Sequence, residues 1–264
     1  NPFAIVTQEP ARDLKFAYRF RSLGKVVAGM LAHRRANPAE HFDYLAMLQD
    51  ARDKDSGDAM SDRELIDEVL TLIVAGHETT ASALNSTWYL LARNPEAERK
   101  LHQELDAAPQ WSAPSLTEIE SLAYAHNVCD ESLRMYPPGW LISRRAIEPD
   151  VLGGYEVPAG TDILLSPYVL HRHPQFWQSP ESFRPERFDA EHEQERPRFA
   201  YMPFAAGPRH CIGEALAMYE MLVHVYKVAR RFRLRLTTHE DIEFEAQVNL
   251  RTLHPLMMRL EPRV

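Results

Sequence analysis

Cys211 stands in the stretch FAAGPRHCIGE (residues 204–214), a loop with two glycines, a proline and an arginine, and an apolar pattern of helical period follows at once. The start of a helix carries unpaired N–H groups and the positive end of the dipole, and both favour an anion. Arg209, two residues away, adds positive charge. Such surroundings favour a thiolate, which is either a nucleophile or a metal ligand. A buried structural cysteine is the commoner fate of an isolated thiol, but the flanking glycines and arginine set this one apart. A cysteine hydrolase needs a histidine base held by a third group. None of the 12 histidines lies in a recognisable partner motif. Zinc wants more soft ligands than Cys211 and the one other cysteine, Cys129, supply. His77-Glu78 opens an H-E-x-x-H pattern, but position 81 is alanine. A solitary axial thiolate suits haem iron, where the porphyrin supplies four ligands and the protein one.

Other residues carry chemistry at a suggestive spacing. AGHETT (75–80) puts a glycine, a carboxylate and two hydroxyls in the middle of a long helical pattern. Glu131 and Arg134 are three apart and share a helix face. His171 and His173, in HRHP, invite a metal. Trp88, Trp140 and Trp177 read as packing residues.

These groups need elements to position them. Residues 23–36 and 41–52 read as amphipathic helices, and 50–60 as a polar loop. Residues 61–95 carry a capping box at Ser61 and Glu64 and a stop at Pro95. The helix between them, about 62–94, is roughly 48 Å long at 1.5 Å per residue. Its middle, LTLIVAG, is apolar nearly all round, which predicts an interior path. Gly76 and the threonines after it predict a local kink. Residues 96–107 and 117–136 read as further helices, the second ended by Pro137-Pro138. Short β-type runs broken by Gly153-Gly154 and Pro158-Ala159-Gly160 predict hairpins over 143–166. Residues 173–203 lack periodicity, which at that length points to function. Residues 212–232 are helical, and RLRL and LMMRL in the tail read as strands. The fold class is mainly α with a small β portion (α+β).

The bulk numbers set limits. The chain has 264 residues, 45% apolar and 26% charged, as in an ordinary globular domain. Its net charge of −8 argues against nucleic acid, which wants a basic face. Two cysteines are too few for a disulfide framework, which fits reduced thiols and a cytoplasmic location. No apolar run is long enough to span a membrane, and residues 1–25 show no signal-peptide pattern.

With the motifs in hand, the chain resembles the cytochrome P450 haem-thiolate monooxygenases. FAAGPRHCIG matches the family's F-x-x-G-x-R-x-C-x-G signature at Phe204, Gly207, Arg209, Cys211 and Gly213. AGHETT (75–80) is similar to the oxygen-activation motif of the long central helix. ESLR (131–134) is similar to the E-x-x-R pair, and FRPERF (183–188) to the Pro-Glu-Arg-Phe segment after it. The order is the family's, and the likeness runs from about residue 20 to the end.

The resemblance implies a cytochrome P450 fold and a haem b (iron protoporphyrin IX) bound through Cys211, with O2 as co-substrate. Electron donation from sulfur would promote O–O cleavage. Gly207 and Gly213 would let the backbone approach the porphyrin, and Phe204 would shield the ligand. Arg209 would pair with a propionate, as would Arg144, with Arg145 the competing choice. Ala75 and Gly76 would let O2 and the macrocycle lie against the helix, and Glu78 and Thr79 would relay protons. Glu131, Arg134 and Arg187 would form a buried ion network holding the cysteine loop. Leu72, Trp140, Leu141, Ile142, Asn249 and Leu250 fall where substrate is contacted, and being mostly apolar they suit a hydrophobic small molecule.

No nucleotide fingerprint is present, so electrons from NAD(P)H would come through a ferredoxin or flavodoxin-type donor with its reductase. Arg209, Lys227, Arg230 and Arg231 could receive an acidic donor, although ordinary solvated charge is an equal reading. The family's N-terminal part has no counterpart here. The chain is expected to be a single P450 domain over 1–264 lacking that part, retained from a longer enzyme. A pocket completed by a second chain, or an inactive haem-binding relic, are the alternatives.

Overall fold

The computed structural model describes residues 10–263 apart from 38, 40, 193, 195, 239 and 240, with side chains from residue 21 onward. Residues 1–9 of the stretch read for a signal peptide fall outside the described residues. The chain divides into two bodies, Asn1–His77 and Glu78–Val264.

The first body is helical. Helix α1 (Pro10–Ala36) opens with proline at its first position, where no intrahelical N–H is lost. It starts thirteen residues before the amphipathic stretch at residue 23. Asp43 caps α2 (Tyr44–Asp50) by accepting from the Ala46 N–H at 3.0 Å. Residues 51–60 form the expected loop, with one bridge between Arg52 and Ala59. The Ser61–Glu64 capping box is in place: Glu64 Oε2 accepts the Ser61 N–H at 2.7 Å, and Ser61 Oγ accepts that of Glu64 at 3.4 Å. It opens α3 (Asp62–Arg93), which continues without a break into the second body. Leu31, Leu45, Leu48 and Leu65 make the core here, and Arg34–Asp43 and Arg35–Asp62 pair on the surface.

One expectation for α3 fails. LTLIVAG is not interior: no residue from 66 to 79 is buried, and Ile73 is 43% exposed, although Leu70, Leu72 and Val74 are half-buried. Residues 76–80 are helical throughout. Hydroxyls bond back to carbonyls on α3, Thr71 to Asp67 and Thr87 to Ala83, both at 2.8 Å, and the helix absorbs them.

In the second body, Pro95 starts α4 (Pro95–Ala107) rather than merely ending α3. The helix read over 117–136 is two, α5 (Leu116–Glu120) and α6 (Ala123–Met135). The break has a local and a distant cause. Ser115 and Glu118 cap α5, and Ser121 Oγ donates to the Glu118 carbonyl at 2.6 Å. The Glu104 carboxylate, from α4, accepts the N–H groups of Tyr124 and Ala125 at 2.7 and 2.8 Å and so caps α6 from outside.

The β portion consists of antiparallel pairs. β1 (Ile142–Arg145) pairs with β4 (Asp162–Leu165), enclosing the hairpin of β2 (Asp150–Leu152) and β3 (Tyr155–Val157). Gly153 and Gly154 turn that hairpin at φ of 58° and 89°. A short helix α7 (Pro167–Leu170) follows, then a long segment holding only 3-10 turns at Pro185–Phe188 and Ala190–His192. Helix α8 (Glu214–Ala229) precedes β5 (Phe232–Leu236), β6 (Phe244–Ala246), β7 (Leu250–Thr252) and β8 (Met258–Pro262). β5 pairs with β8 and β6 with β7, so the RLRL and LMMRL readings meet in one ladder. The core lies between α4, α6 and α8, where Leu101, Leu105, Ala125, Val128, Val225 and Ala229 are fully buried.

Candidate functional site

The cysteine loop is built by short hydrogen bonds and two left-handed residues. Ala205 donates to the Met202 carbonyl at 3.2 Å, and Cys211 N–H donates to the Phe204 carbonyl at 2.9 Å. Ala205 and Gly207 take φ of 62° and 72°; only glycine adopts the second freely. One 3-10 turn, Gly207–Arg209, lies between. Phe204 packs on the core, so the loop is anchored at its entrance. At the exit His210 pairs with Glu214, the first residue of α8, at 2.9 Å.

Cys211 is exposed while Cys129 is buried, and burial pushes the Cys129 thiol well up. Ile212 and Leu216, on the loop and the first turn of α8, are 79% and 62% exposed, so the thiol has open apolar neighbours. A Cβ on Gly207 would meet nothing within 4 Å, and one on Gly213 would sit 3.8 Å from the Cys211 sulfur. Arg209 is exposed and has no partner among the described residues. Arg144 bonds only the Ser143 carbonyl, at 2.9 Å. Arg145 is held by Asp162 through two bonds of 2.7 and 2.9 Å. Of the two strand arginines, Arg145 is paired with a carboxylate and Arg144 is not.

The ion network assembles as expected. Glu131 and Arg134, both with side chains 0% exposed, meet through bonds of 2.6 and 2.9 Å. Arg187 Nε reaches Glu131 at 3.3 Å, and the Arg184 N–H donates to the same oxygen at 2.8 Å. Arg187 also donates to the Ser179 carbonyl at 2.7 Å. Burial lowers the Arg187 pKa against the opposing pull of Glu131. Arg134 donates to the His171 carbonyl at 2.8 Å, and its guanidinium lies 5.3 Å from the Trp177 ring.

His171 itself is fully buried. Its Nε2 accepts the Met202 N–H at 2.9 Å, and its Nδ1 lies 3.2 Å from the Arg134 carbonyl. Burial lowers its pKa to about 3, so the ring is neutral. No metal-like cluster of His, Cys, Asp and Glu occurs among the described residues. The HRHP motif thus lends its first histidine to hydrogen bonding, a role the sequence reading did not assign.

Other expected residues fall in different settings. Glu78 and Thr79 are half-buried on α3; Glu78 Oε1 lies 3.3 Å from Arg251 Nη1 on β7. Leu72, Ala75 and Gly76 belong to the first body, Leu72 half-buried and the other two exposed. Trp140 donates its indole N–H to the Gln247 carbonyl at 2.9 Å, and the Leu250 N–H donates to the Pro138 carbonyl at 2.9 Å. These bonds join the Trp140 segment to the β6–β7 turn. Asn249 and Leu250 are buried there, Asn249 bonded to Ser82 at 3.3 Å. Leu141 and Ile142 remain open or half-open. Of the basic set, Lys227 binds the carbonyls of Trp111 and Ser112, and Arg230 those of Leu105, Ala108 and Pro109. Both charges are engaged within the chain.

The family comparison agrees with this geometry. The cytochrome P450 family profile matches residues 10–258. The haem domain of cytochrome P450DA superposes with a TM-score of 0.90 at 27% identity, covering 98% of this chain and 57% of that one. Cyclooctatin synthase of Streptomyces melanosporofaciens is 38% identical over 100% of this chain and 58% of its own length. Cyclooctat-9-en-7-ol 5-monooxygenase of the same organism is 41% identical over 81% of this chain and 46% of its own. The chain belongs to the cytochrome P450 family and has the cytochrome P450 fold. It spans about half the length of the curated relatives it matches.

Proposed function

We propose that the chain is the haem-ligating part of a monooxygenase that inserts one oxygen atom of O2 into a hydrophobic organic substrate. The observation that carries this is the exposed Cys211 thiol in a loop fixed by Gly207, with open apolar neighbours and two arginines, Arg144 and Arg209, that lack a carboxylate partner. That donor set fits a haem b: one soft sulfur ligand, exposed apolar neighbours in Ile212 and Leu216, and two cations for propionates. When bound, the group supplies the activation of O2; the protein supplies ligand, proton path and pocket. Phe204 anchors the loop from the core side, and Gly213 admits backbone close to the sulfur. Glu78 and Thr79 move protons along α3, since a hydroxyl both donates and accepts. Glu131, Arg134 and Arg187 hold the loop in register.

Residues 1–264 then form part of one P450 domain. Trp140, Leu141 and Ile142 face substrate, with Asn249 and Leu250 shaping the wall from behind. The name of one relative makes cyclooctat-9-en-7-ol the first compound to try. Electrons come from NAD(P)H through a ferredoxin or flavodoxin-type donor and its reductase, with Arg231 as a free charge toward it. No helix among the described residues is long and apolar enough to cross a membrane. We place the protein in the cytoplasm, where reduced thiols fit its two free cysteines.

The test is the absorption spectrum of the reduced, CO-bound protein. A Soret band at the thiolate position that disappears in Cys211→Ala, together with NAD(P)H-driven oxygenation by surrogate donors, supports the reading. Haem uptake without turnover makes the chain a binder only, and no haem uptake overturns the proposal.

A further inference from the structure

We propose that His171 is a positioning residue for the Cys211 sulfur, the tether that couples the buried ion network to the cysteine loop; this rests on the reading of Cys211 as the haem ligand. The network's side chains contact the Arg184 N–H and the carbonyls of His171, Ser179 and Ser182. From there the His171 ring carries a hydrogen bond to the entrance of the cysteine loop; Arg196, which donates to the Arg187 carbonyl at 3.0 Å and lies 5.6 Å from the Tyr201 ring centre, adds only a ring contact there. Arg134 and His171 hold each other reciprocally: the guanidinium donates to the His171 carbonyl at 2.8 Å, and His171 Nδ1 meets the Arg134 carbonyl at 3.2 Å. Nε2 then takes the Met202 N–H at 2.9 Å.

The path onward is continuous. The Met202 carbonyl accepts from Ala205, fixing the left-handed turn, and the Phe204 carbonyl, one residue earlier, accepts from Cys211. A second tether, Tyr201 OH to Asp130 at 2.9 Å, also reaches the loop entrance from α6, but it bypasses the network.

The chemistry explains why a histidine stands here. An N–H can only donate, so Nε2 is the acceptor and the proton sits on Nδ1, where it is given to the Arg134 carbonyl. One rigid ring thus satisfies a buried acceptor and a buried donor on two segments. Packing against Tyr201 and Trp177, at centroid distances of 5.2 and 6.4 Å, fixes its plane. A hydrocarbon in its place would leave both backbone groups unpaired. Gln keeps one donor and one acceptor on a flexible stem.

The experiment uses the full enzyme, with and without haem. Ring nitrogen shifts of wild-type protein should show the Nδ1-protonated tautomer, and the Met202 amide should be protected from hydrogen exchange. In His171→Leu, Met202 exchange should quicken about tenfold, and part of the reduced CO-bound Soret band should leave the thiolate position. His171→Gln should restore most of both. A ring protonated on Nε2, or His171→Leu with wild-type exchange and wild-type band, overturns the proposal. If His171→Leu does not fold, the wild-type tautomer and Met202 protection decide. A wild-type enzyme without a thiolate band sinks the haem reading instead, and the exchange data still judge the tether.

Discussion

Arg251 on β7 sets its Nη1 3.3 Å from Glu78 Oε1 on α3, across 173 residues of sequence. The same guanidinium reaches Glu245 at 3.1 Å, so Glu78 shares its cation with a second carboxylate. The acid assigned to proton delivery is therefore tied to the β6–β7 hairpin, the element that also meets Trp140.

Both partners of that pair are 43% exposed, so its contribution to stability is below about 1 kcal/mol. Arg251→Ala should leave the melting temperature and the haem content unchanged while slowing product formation up to about fivefold, with the lost electrons appearing as peroxide. Glu78→Gln should slow it by about a hundredfold or more, the range expected on losing a general acid. Measuring product and peroxide per NAD(P)H consumed separates the two. Equal losses in both variants would mean that Arg251 does more than orient Glu78.

The ion network answers differently. Glu131 is fully buried and takes bonds from Arg134, Arg187 and the Arg184 N–H. Glu131→Ala strands the buried Arg134 charge at a cost of about 3–5 kcal/mol, a large part of a domain's stability. Denaturant melts should show that loss or no folded protein at all. Arg187→Lys keeps the charge and loses only the forked geometry, so its melt should shift by about 1 kcal/mol. A Glu131→Ala protein as stable as wild type would mean that solvent reaches the network.

Two buried histidines predict how stability varies with pH. Burial holds His171 at a pKa of about 3 and His102 at about 4, both below the ordinary 6.5. As pH falls through 6.5 the unfolded chain takes up both protons and the folded chain does not. Stability should therefore be full above that pH and fall at lower pH, by as much as about 1.4 kcal/mol per pH unit for each histidine. The loss should level off near pH 4 for His102 and near pH 3 for His171. Denaturant midpoints measured from neutrality to pH 4 check this, and His171→Gln should flatten the slope by its share. An unchanged slope would mean that His171 titrates alike in both states.

Residues that act on near neighbours were legible in the sequence. The Ser61–Glu64 box, the turn at Gly153-Gly154 and the Glu131–Arg134 pair all rest on spacings of one to three residues. What escaped depends on distant partners. Nothing near Ser121 says that Glu104 will cap a new helix there, and nothing in Lys227 or Arg230 says that carbonyls after α4 will take their charge. The first histidine of HRHP was visible, but its partners lie 37 and 31 residues away. The apolar run LTLIVAG misled because periodicity reports what a surface suits, while its residues stay half-buried or exposed here.

The two cysteines offer a direct check on the site. Cys129 is fully buried in α6 with its thiol pKa pushed well up, while Cys211 is exposed at the loop. Nucleophilicity belongs to the thiolate, so a charged alkylating reagent should modify Cys211 and spare Cys129 in folded, haem-free protein. Denaturation should expose both. Added haem should protect Cys211 in step with the growth of the thiolate band, because the ligand and the nucleophile are one sulfur. Peptide mapping after a timed reaction reads the result. Equal labelling of the two cysteines would show that α6 opens readily, and labelling of Cys211 at an unchanged rate in haem-loaded protein would show that iron is held elsewhere.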